Sequence, residues 1–523
     1  MNKTAIVNAA AMRQIDDFTI NITGIPSIVL MEQAAYKCYE KIKEIYSNDK
    51  FRKIIAVCGT GNNGGDGFAI SRYLYFAGYA VEIIFAGSPE KLSESAAVNY
   101  IILKNLGIAI YEYPDFQPTA DFFKDCLIID SLFGTGIKGK FSDSISSLIS
   151  IINNSTAYIT AIDTPSGLTD TTENIPVKAD LTLSIGALKQ AFYNEPGIYY
   201  TGQIKLIEIN FPENAFEKIA PDCFVNSFRK TDLLNFLPPL ASCKTHTGKV
   251  AVIAGSHRYS GAAVLCVKAA INAGAGMVYA LVPDTIADIL KASTPEAIVI
   301  QLESCKDGGI DNTKNTKNII SEYMEFADSI VVGPGLTVSS KTKDICEFVI
   351  KKAKADVVID ADALNNITDM LHILEKNKDA QFILTPHPGE MSRLLNIPVS
   401  EIQKNRYAAV TRLNLPDNAF AVLKGRYTII ADNNKKYINM SGNSLLACAG
   451  TGDVLAGIIG AATAKFKNCD IIESVRIAVY LHSATADYLK NSKMKLTMKA
   501  SDLIDNFDEA FRELLNINDE YIR

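Results

Sequence analysis

A short apolar strand running into a glycine-rich or acid-tipped turn, then a helical pattern, recurs along both halves of this chain. Ile54-Ile55-Ala56-Val57-Cys58 enters Gly59-Thr60-Gly61-Asn62-Asn63-Gly64-Gly65-Asp66-Gly67. Cys126 to Asp130 enters Ser131-Leu132-Phe133-Gly134-Thr135-Gly136-Ile137-Lys138-Gly139, and Tyr158 to Asp163 enters Thr164-Pro165-Ser166-Gly167. Units of this kind build a doubly wound parallel sheet, whose ligands gather outside the carboxyl ends of its strands. The three ends therefore bring Asn62, Asn63, Asp66, Asp130, Asp163 and Ser166 to one rim, the first three as oxygen ligands inside a glycine loop. No Gly-Lys-Ser/Thr follows, so the loop is not a Walker motif, and its polar residues depart from the simple dinucleotide fingerprint. One strand-end aspartate reads equally well as a helix cap; three together mark a site.

The second half restarts the alternation. Lys249 to Gly255, Met277 to Val282, Ser329 to Val332, Asp356 to Asp360 and Phe382 to Thr385 read as strands, with Gly261 to Ala273 as a helix. Motif residues again stand at strand ends: Gly333-Pro334-Gly335-Leu336, Asp360-Ala361-Asp362, Thr385-Pro386-His387-Pro388-Gly389-Glu390 and Lys424-Gly425. His387 is held between two prolines, and the Lys424 ammonium is placed to meet phosphates. Last comes Ala449-Gly450-Thr451-Gly452-Asp453, opening into the apolar run Val454 to Ile459. A glycine turn at a helix start offers free N–H groups and the positive dipole end to an anion, with Asp453 beside them as a base.

Length and composition limit the classes that remain. The 523 residues suffice for two or three domains, and 48% hydrophobic with 21% charged content is that of a globular protein. A net charge of −6 argues against nucleic acid as the main partner. No stretch reaches membrane-span length, and the N-terminus lacks a signal-peptide profile. Scattered cysteines without a Cys-x-x-Cys pair imply reduced core thiols and a cytoplasmic protein, and zinc spacing is absent. Phe211-Pro212, Pro221-Asp222 and Pro238-Pro239 interrupt the pattern, so the boundary is expected within residues 213–230, between domains of 1–215 and 226–523.

GIPSIVLMEQAA, GTGNNGGDGFAISRYL, DSLFGTGIKG and AIDTPSGL, spread over residues 9–212, resemble the successive motifs of the NAD(P)HX epimerase (YjeF N-terminal) family. Gln33 departs from the asparagine more usual after Met-Glu. Tyr259-Ser260-Gly261-Ala262-Ala263, VVGPGL, DADALN, LTPHPGEMSRL, VLKGRYT and AGTGDVLAGII, over residues 226–510, resemble the ribokinase-like ADP/ATP-dependent NAD(P)H-hydrate dehydratase family. The resemblance implies a Rossmann-like domain followed by a ribokinase-like one. It implies that Asn62, Asn63, Gly64, Gly65, Asp66 and the run Gly134, Thr135, Gly136, Ile137, Lys138, Gly139 and Lys140 bind substrate phosphates and ribose. Asn63, Asp130 and Ser166 would hold a potassium ion, and Asp163 would be the acid–base at the hydrated nicotinamide ring. That role requires burial to raise the Asp163 pKa.

In the second half the resemblance assigns Lys424, Gly425, Arg426, Tyr427, Thr428 and Gly452 to the nucleotide, and Ala262, Gly335, His387 and Asp453 to the hydrated substrate. Asp453 would deprotonate the ring hydroxyl as it attacks the terminal phosphate of Mg²⁺-bound ADP or ATP, and loss of phosphate would restore NADH or NADPH. The first domain would interconvert the two epimers of NADHX or NADPHX. A homo-oligomer is expected. Two readings compete: a ribokinase-like kinase for a small hydroxylated precursor, and a first domain that only binds ligand or acts as a scaffold.

Overall fold

The computed structural model describes residues 4–516 apart from 47–49, 138, 172, 235, 238–246 and 466–469, so Pro238, Pro239 and Lys138 lie outside the described residues. The chain divides into two compact units, Met1–Cys223 and Phe224–Arg523.

The first unit is built on a seven-stranded sheet, parallel throughout. Its order is Ala109–Tyr113, Val81–Ala86, Lys53–Cys58, Cys126–Ser131, Tyr158–Ile162, Leu181–Ile185 and Gln203–Ile207. The three strands read from the sequence are therefore neighbours. Strand order reverses between Lys53–Cys58 and Cys126–Ser131, which places a crevice between the loops that leave them. Both strands are buried along their length, as continuous apolar runs covered on two faces should be.

The glycine loop is shorter than the sequence suggested. Its free backbone is Gly59 to Gly61, and the helix Asn62–Phe76 begins at once, so Asn62, Asn63 and Asp66 are helical. Packing explains this. A Cβ on Gly64 would stand 2.0 Å from the Gly59 carbonyl oxygen, and one on Gly65 would stand 2.5 Å from the Met31 methyl. These glycines let the helix start against the loop and the helix Ser27–Ile45. Gln33 on that second helix accepts a hydrogen bond from the Asn210 N–H at 2.9 Å, tying it to the chain beyond the last strand.

The second unit carries a ten-stranded sheet. From Ile298–Leu302 it passes through Met277–Pro283, Lys249–Ile253, Ser329–Val332, Asp356–Ile359 and Phe382–Leu384 to Ala419–Leu423, all parallel. Ile429–Ala431 and Lys436–Ile438 extend it antiparallel, and Cys223–Val225 is the tenth strand, at the edge beside Lys436–Ile438. The helix Thr451–Lys465 is buried from Val454 to Ala464 and packs on the small-residue helix Ser260–Asn272. A Cβ on Gly457 would stand 2.2 Å from the Cys266 carbonyl oxygen, which is why that interface is lined with small residues. Every described cysteine is free. Among the described residues no helix is long and apolar enough to cross a membrane.

Candidate active sites at the strand ends

In the first unit a cavity of about 520 Å³ opens at the reversal of strand order. Gly61, Asn62, Asn63 and Asp66 line one wall, Gly134, Thr135, Gly136 and Ile137 another, and Asp163 the floor. Gly64 and Gly65 are buried in the helix and are not part of the lining, and Gly139 and Lys140 are exposed outside it. The Gly139 carbonyl instead accepts a hydrogen bond from the Asn174 amide at 3.0 Å.

Asp163 has left-handed backbone (φ 65°) at the end of its strand and lines the cavity. Its Oδ1 is ion-paired with the buried ammonium of Lys189 and also accepts the Ile185 N–H at 3.2 Å. The Lys189 Nζ further donates to the Ile185 carbonyl at 2.8 Å and to Ser184 Oγ at 3.2 Å, so three oxygens saturate it. Two more carboxyls line the same cavity. Burial, then Asp163, pushes Asp16 up to about 7 against the pull of Lys189. Asp66 is pushed well above the usual carboxylate range by burial, then by Asp163 and Asp16. Neither Lys189 nor Asp16 was singled out from the sequence. Their only local signals are a lysine just after a strand and an acid at the centre of a helical Met12–Asp16–Ile20 stripe.

Asp130 and Ser166 lock two strand ends together. Ser166 donates its hydroxyl to Asp130 Oδ1 at 2.6 Å and its N–H to Oδ2 at 2.8 Å. Asp130 is fully buried, and burial raises it to about 6 despite those hydrogen bonds. On the helix after the neighbouring strand, the buried amide of Asn63, a residue whose Cβ would stand 3.5 Å from a Cβ on Gly134, has no partner for either its oxygen or its nitrogen. An unsatisfied buried amide oxygen, together with the carboxylate and hydroxyl of two adjoining strand ends, is a set of hard oxygen donors of the kind that fits potassium.

In the second unit three adjacent strands end in Asp360, Thr385 and Lys424. Lys424 Nζ donates to Asp360 Oδ1 at 2.6 Å, and Thr385 Oγ1 donates to the same oxygen at 2.6 Å. Glu390 Oε2 lies 3.9 Å from that ammonium. Burial alone would lower the Lys424 pKa, but Asp360, Glu390 and Asp453 together hold it above its usual value. Lys424 thus stands inside a carboxylate cage rather than free in solvent, with Nζ 3.3 Å from where a Gly452 Cβ would be. Asp453, in the first turn of its helix, is raised to about 7 by burial and by Asp360, against Lys424.

His387 has a structural duty. Its Nδ1 accepts the N–H groups of Gly389 and Glu390 at 2.9 and 3.2 Å, capping the helix Pro388–Leu395, and its Nε2 lies 3.4 Å from Glu390 Oε1. Burial, then Lys424 and Arg393, lowers its pKa, so the ring is neutral. Gly335, at φ 66°, passes under the first turn of the Ser260 helix, where a Cβ would meet the Tyr259 carbonyl at 2.7 Å and the Ala262 Cβ at 3.1 Å. Gly425 and Tyr427 both have positive φ in the turn after Lys424, and Thr428 Oγ1 donates to the Gly425 carbonyl at 3.1 Å. Arg426 lies against the Tyr427 ring. The sequence missed His482, buried behind the glycine turn, whose Nε2 lies 3.0 Å from the Thr451 carbonyl oxygen. Burial lowers it to about 4, so it is neutral and donates from Nε2.

Two α/β units, each with acids and a buried lysine at the carboxyl ends of parallel strands, define a two-site enzyme class. The YjeF-related protein N-terminus family model matches residues 27–191, and the NAD(P)H-hydrate dehydratase model matches residues 250–508. The chain is 31% identical over 522 residues to the bifunctional NAD(P)H-hydrate repair enzyme Nnr of Moorella thermoacetica, covering 97% of each chain. It is 32% identical over 529 residues to that of Dictyoglomus turgidum, covering 98% of this chain and 99% of the relative. A solved ADP/ATP-dependent NAD(P)H-hydrate dehydratase from Bacillus subtilis, co-crystallised with ATP/Mg²⁺, is 27% identical, with a TM-score of 0.45 over 55% of this chain and 97% of that one. The chain belongs to the family of bifunctional NAD(P)H-hydrate repair enzymes.

Proposed function

We propose that residues 1–215 epimerise the R and S forms of hydrated NADH and NADPH, and that residues 226–523 dehydrate the S form at the expense of ADP or ATP. The observation that carries this reading is a pair of acid–lysine clusters, each at the carboxyl ends of parallel strands in a unit of its own.

In the first site Asn62, Asn63, Asp66 and the Gly134–Ile137 turn receive the nucleotide half of the substrate, with Asp163 at the ring. Asn63, Asp130 and Ser166 would hold potassium, which supplies positive charge beside the substrate's phosphates. In the second site the hydrated ring lies between Ala262, Gly335, His387 and Asp453, and the nucleotide lies along Lys424–Thr428 and Gly452. Asp453 takes the ring-hydroxyl proton as that oxygen attacks the terminal phosphorus, the bond from that phosphorus to the bridging oxygen breaks to release AMP or ADP, and a pKa near 7 suits a base at neutral pH. The N–H groups of Thr451 and Gly452 at the helix start stabilise the transferring phosphoryl group. Mg²⁺ bound with the nucleotide neutralises phosphate charge. Phosphate then departs with the C–O bonding pair, the adjacent ring carbon loses its proton, and the reduced nicotinamide is restored.

The test mixes full-length protein with racemic NADHX, Mg²⁺ and potassium, with and without ADP or ATP, and follows the reduced-nicotinamide absorbance. Complete, nucleotide-dependent recovery is expected. Recovery stopping at one epimer would refute the first half of the reading, and no recovery would refute the second.

A further inference from the structure

Asp163 is badly placed to be the only acid of the first site. Its Oδ1 is committed to the Lys189 ammonium and the Ile185 N–H, so that oxygen is already engaged by two donors of the protein itself. Asp16 is different. It projects from the helix Ala9–Asp17 into the same cavity, and among the described residues its carboxyl makes no hydrogen bond. Met12 and Ile20 flank it on the cavity wall, with Leu30 and Met31 nearby, an apolar surface of the kind that takes a nicotinamide ring. The chain turns π-helical at Phe18–Ile22, just past Asp17, a local distortion often found at functional sites. The unpartnered Asn63 amide marks the same cavity as built for a ligand.

We infer that Asp16 is a second catalytic residue of the epimerisation, the acid that protonates the departing ring hydroxyl. This rests on the epimerase reading of the first site. In a hydrated dihydronicotinamide the hydroxyl sits on the carbon bonded to the ring nitrogen. Asp16 gives its proton to that oxygen, the C–O bond breaks with its electron pair leaving on water, and the nitrogen lone pair closes a C=N⁺ bond. The carbon is then planar. Water adds to the opposite face, the C=N π pair returns to nitrogen, and the excess proton of the adding water returns to the Asp16 carboxylate through Asp66. No oxidant or further reactant is consumed. Asp16 and Asp163 share the field of one ammonium, Lys189, Asp66 is coupled to both carboxyls, and the Cys38 thiol is buried behind them. That balance stabilises the cationic intermediate and keeps one proton within the set; the raised Asp16 pKa agrees.

The test measures exchange between the R and S forms in full-length wild type, Asp16→Asn and Asp16→Glu, over a range of pH, with dehydration of the S form as an internal control. The expected result is a loss of about 10²–10⁴-fold in exchange for Asp16→Asn. Its alkaline limb near pH 7 should vanish, Asp16→Glu should recover part of the rate, and S-form dehydration should be unchanged. Wild-type exchange with an Asp16→Asn rate within threefold of it and the same pH profile would overturn the inference alone. A wild type without exchange would overturn the epimerase reading beneath it.

Discussion

Replacing Lys424 with methionine tests whether the carboxylates of the second site are held apart by one buried ammonium. The side chain of Lys424 is 17% exposed, that of Asp360 1% and that of Glu390 6%, so little solvent screens the group. At 3.9 Å and an effective dielectric constant of about 20, the Lys424–Glu390 attraction alone is about 4 kcal/mol. Breaking a buried pair by removing one partner costs about 3–5 kcal/mol, and that is the loss expected for Lys424→Met at pH 8. The loss should shrink in acid. Glu390 and Asp453 both have folded pKa values raised to about 7, so the stability linked to them is present below their unfolded values and lost as pH rises through 7. Without the ammonium their charged forms become costlier still, and protonation relieves the variant more than the wild type. Lys424 itself stays charged at pH 8, because its folded pKa is raised. The assay is urea unfolding of both proteins at pH 5.5 and 8, followed by far-UV circular dichroism because the chain has no tryptophan. A loss below about 1 kcal/mol, or an equal loss at both pH values, would refute the cage.

Asp453→Asn should lower S-form dehydration by about 10²–10⁴-fold and leave R/S exchange untouched, read as NADH recovery against epimer ratio; equal dehydration rates would remove Asp453 as the base. Gly64→Ala places a Cβ 2.0 Å from the Gly59 carbonyl, so the first unit should lose about 1–3 kcal/mol or fail to fold, and an unchanged thermal transition would contradict the packing account. Asp356, half-buried at the start of its strand, is raised from 3.8 to about 6 by burial, so its contribution is present below pH 4 and lost as pH rises through 6. Asp356→Asn should therefore flatten the stability curve between pH 4 and 6.5 and gain about 2 kcal/mol at pH 8; a parallel curve in urea unfolding would contradict this.

The strand ends were legible from sequence because each carries a local signal, an apolar run meeting a glycine or an acid. Asp130, Asp163 and Ser166 stand where that pattern put them. What could not be read is pairing across the sheet. Lys189 lies 26 positions from Asp163, and Lys424 lies 64 from Asp360. Which strand ends become neighbours depends on strand order, which no local window contains. The same gap hid the salt bridge from Lys424 to Asp360 and the helix cap that His387 makes, both of which stand beside the ligand contacts expected of these residues. Gly64 and Gly65 are a different case. A glycine kept for close packing and one kept for a ligand look alike in sequence, and only the distance to Gly59 and Met31 separates them.

The two units solve one electrostatic problem alike, although their sheets are wound differently. In each, a buried lysine is tied to one strand-end aspartate, Lys189 to Asp163 and Lys424 to Asp360. In each, another aspartate close to that pair comes from a helix and is lifted to about 7, Asp16 in the first and Asp453 in the second. The lysine limits how many protons the set must hold, and burial decides which carboxyl holds the last one. A hydroxyl on a carbon bonded to nitrogen leaves when it gains a proton and attacks phosphorus when it loses one. A carboxyl poised near neutral pH can serve either direction, and what differs between the sites is the group beside it: an apolar wall around Asp16, a helix start with a glycine turn around Asp453. On this account the choice between epimerisation and phosphoryl transfer lies in the surroundings of the titrating aspartate. Exchanging acid for amide at Asp16 and at Asp453 should therefore silence the two activities independently.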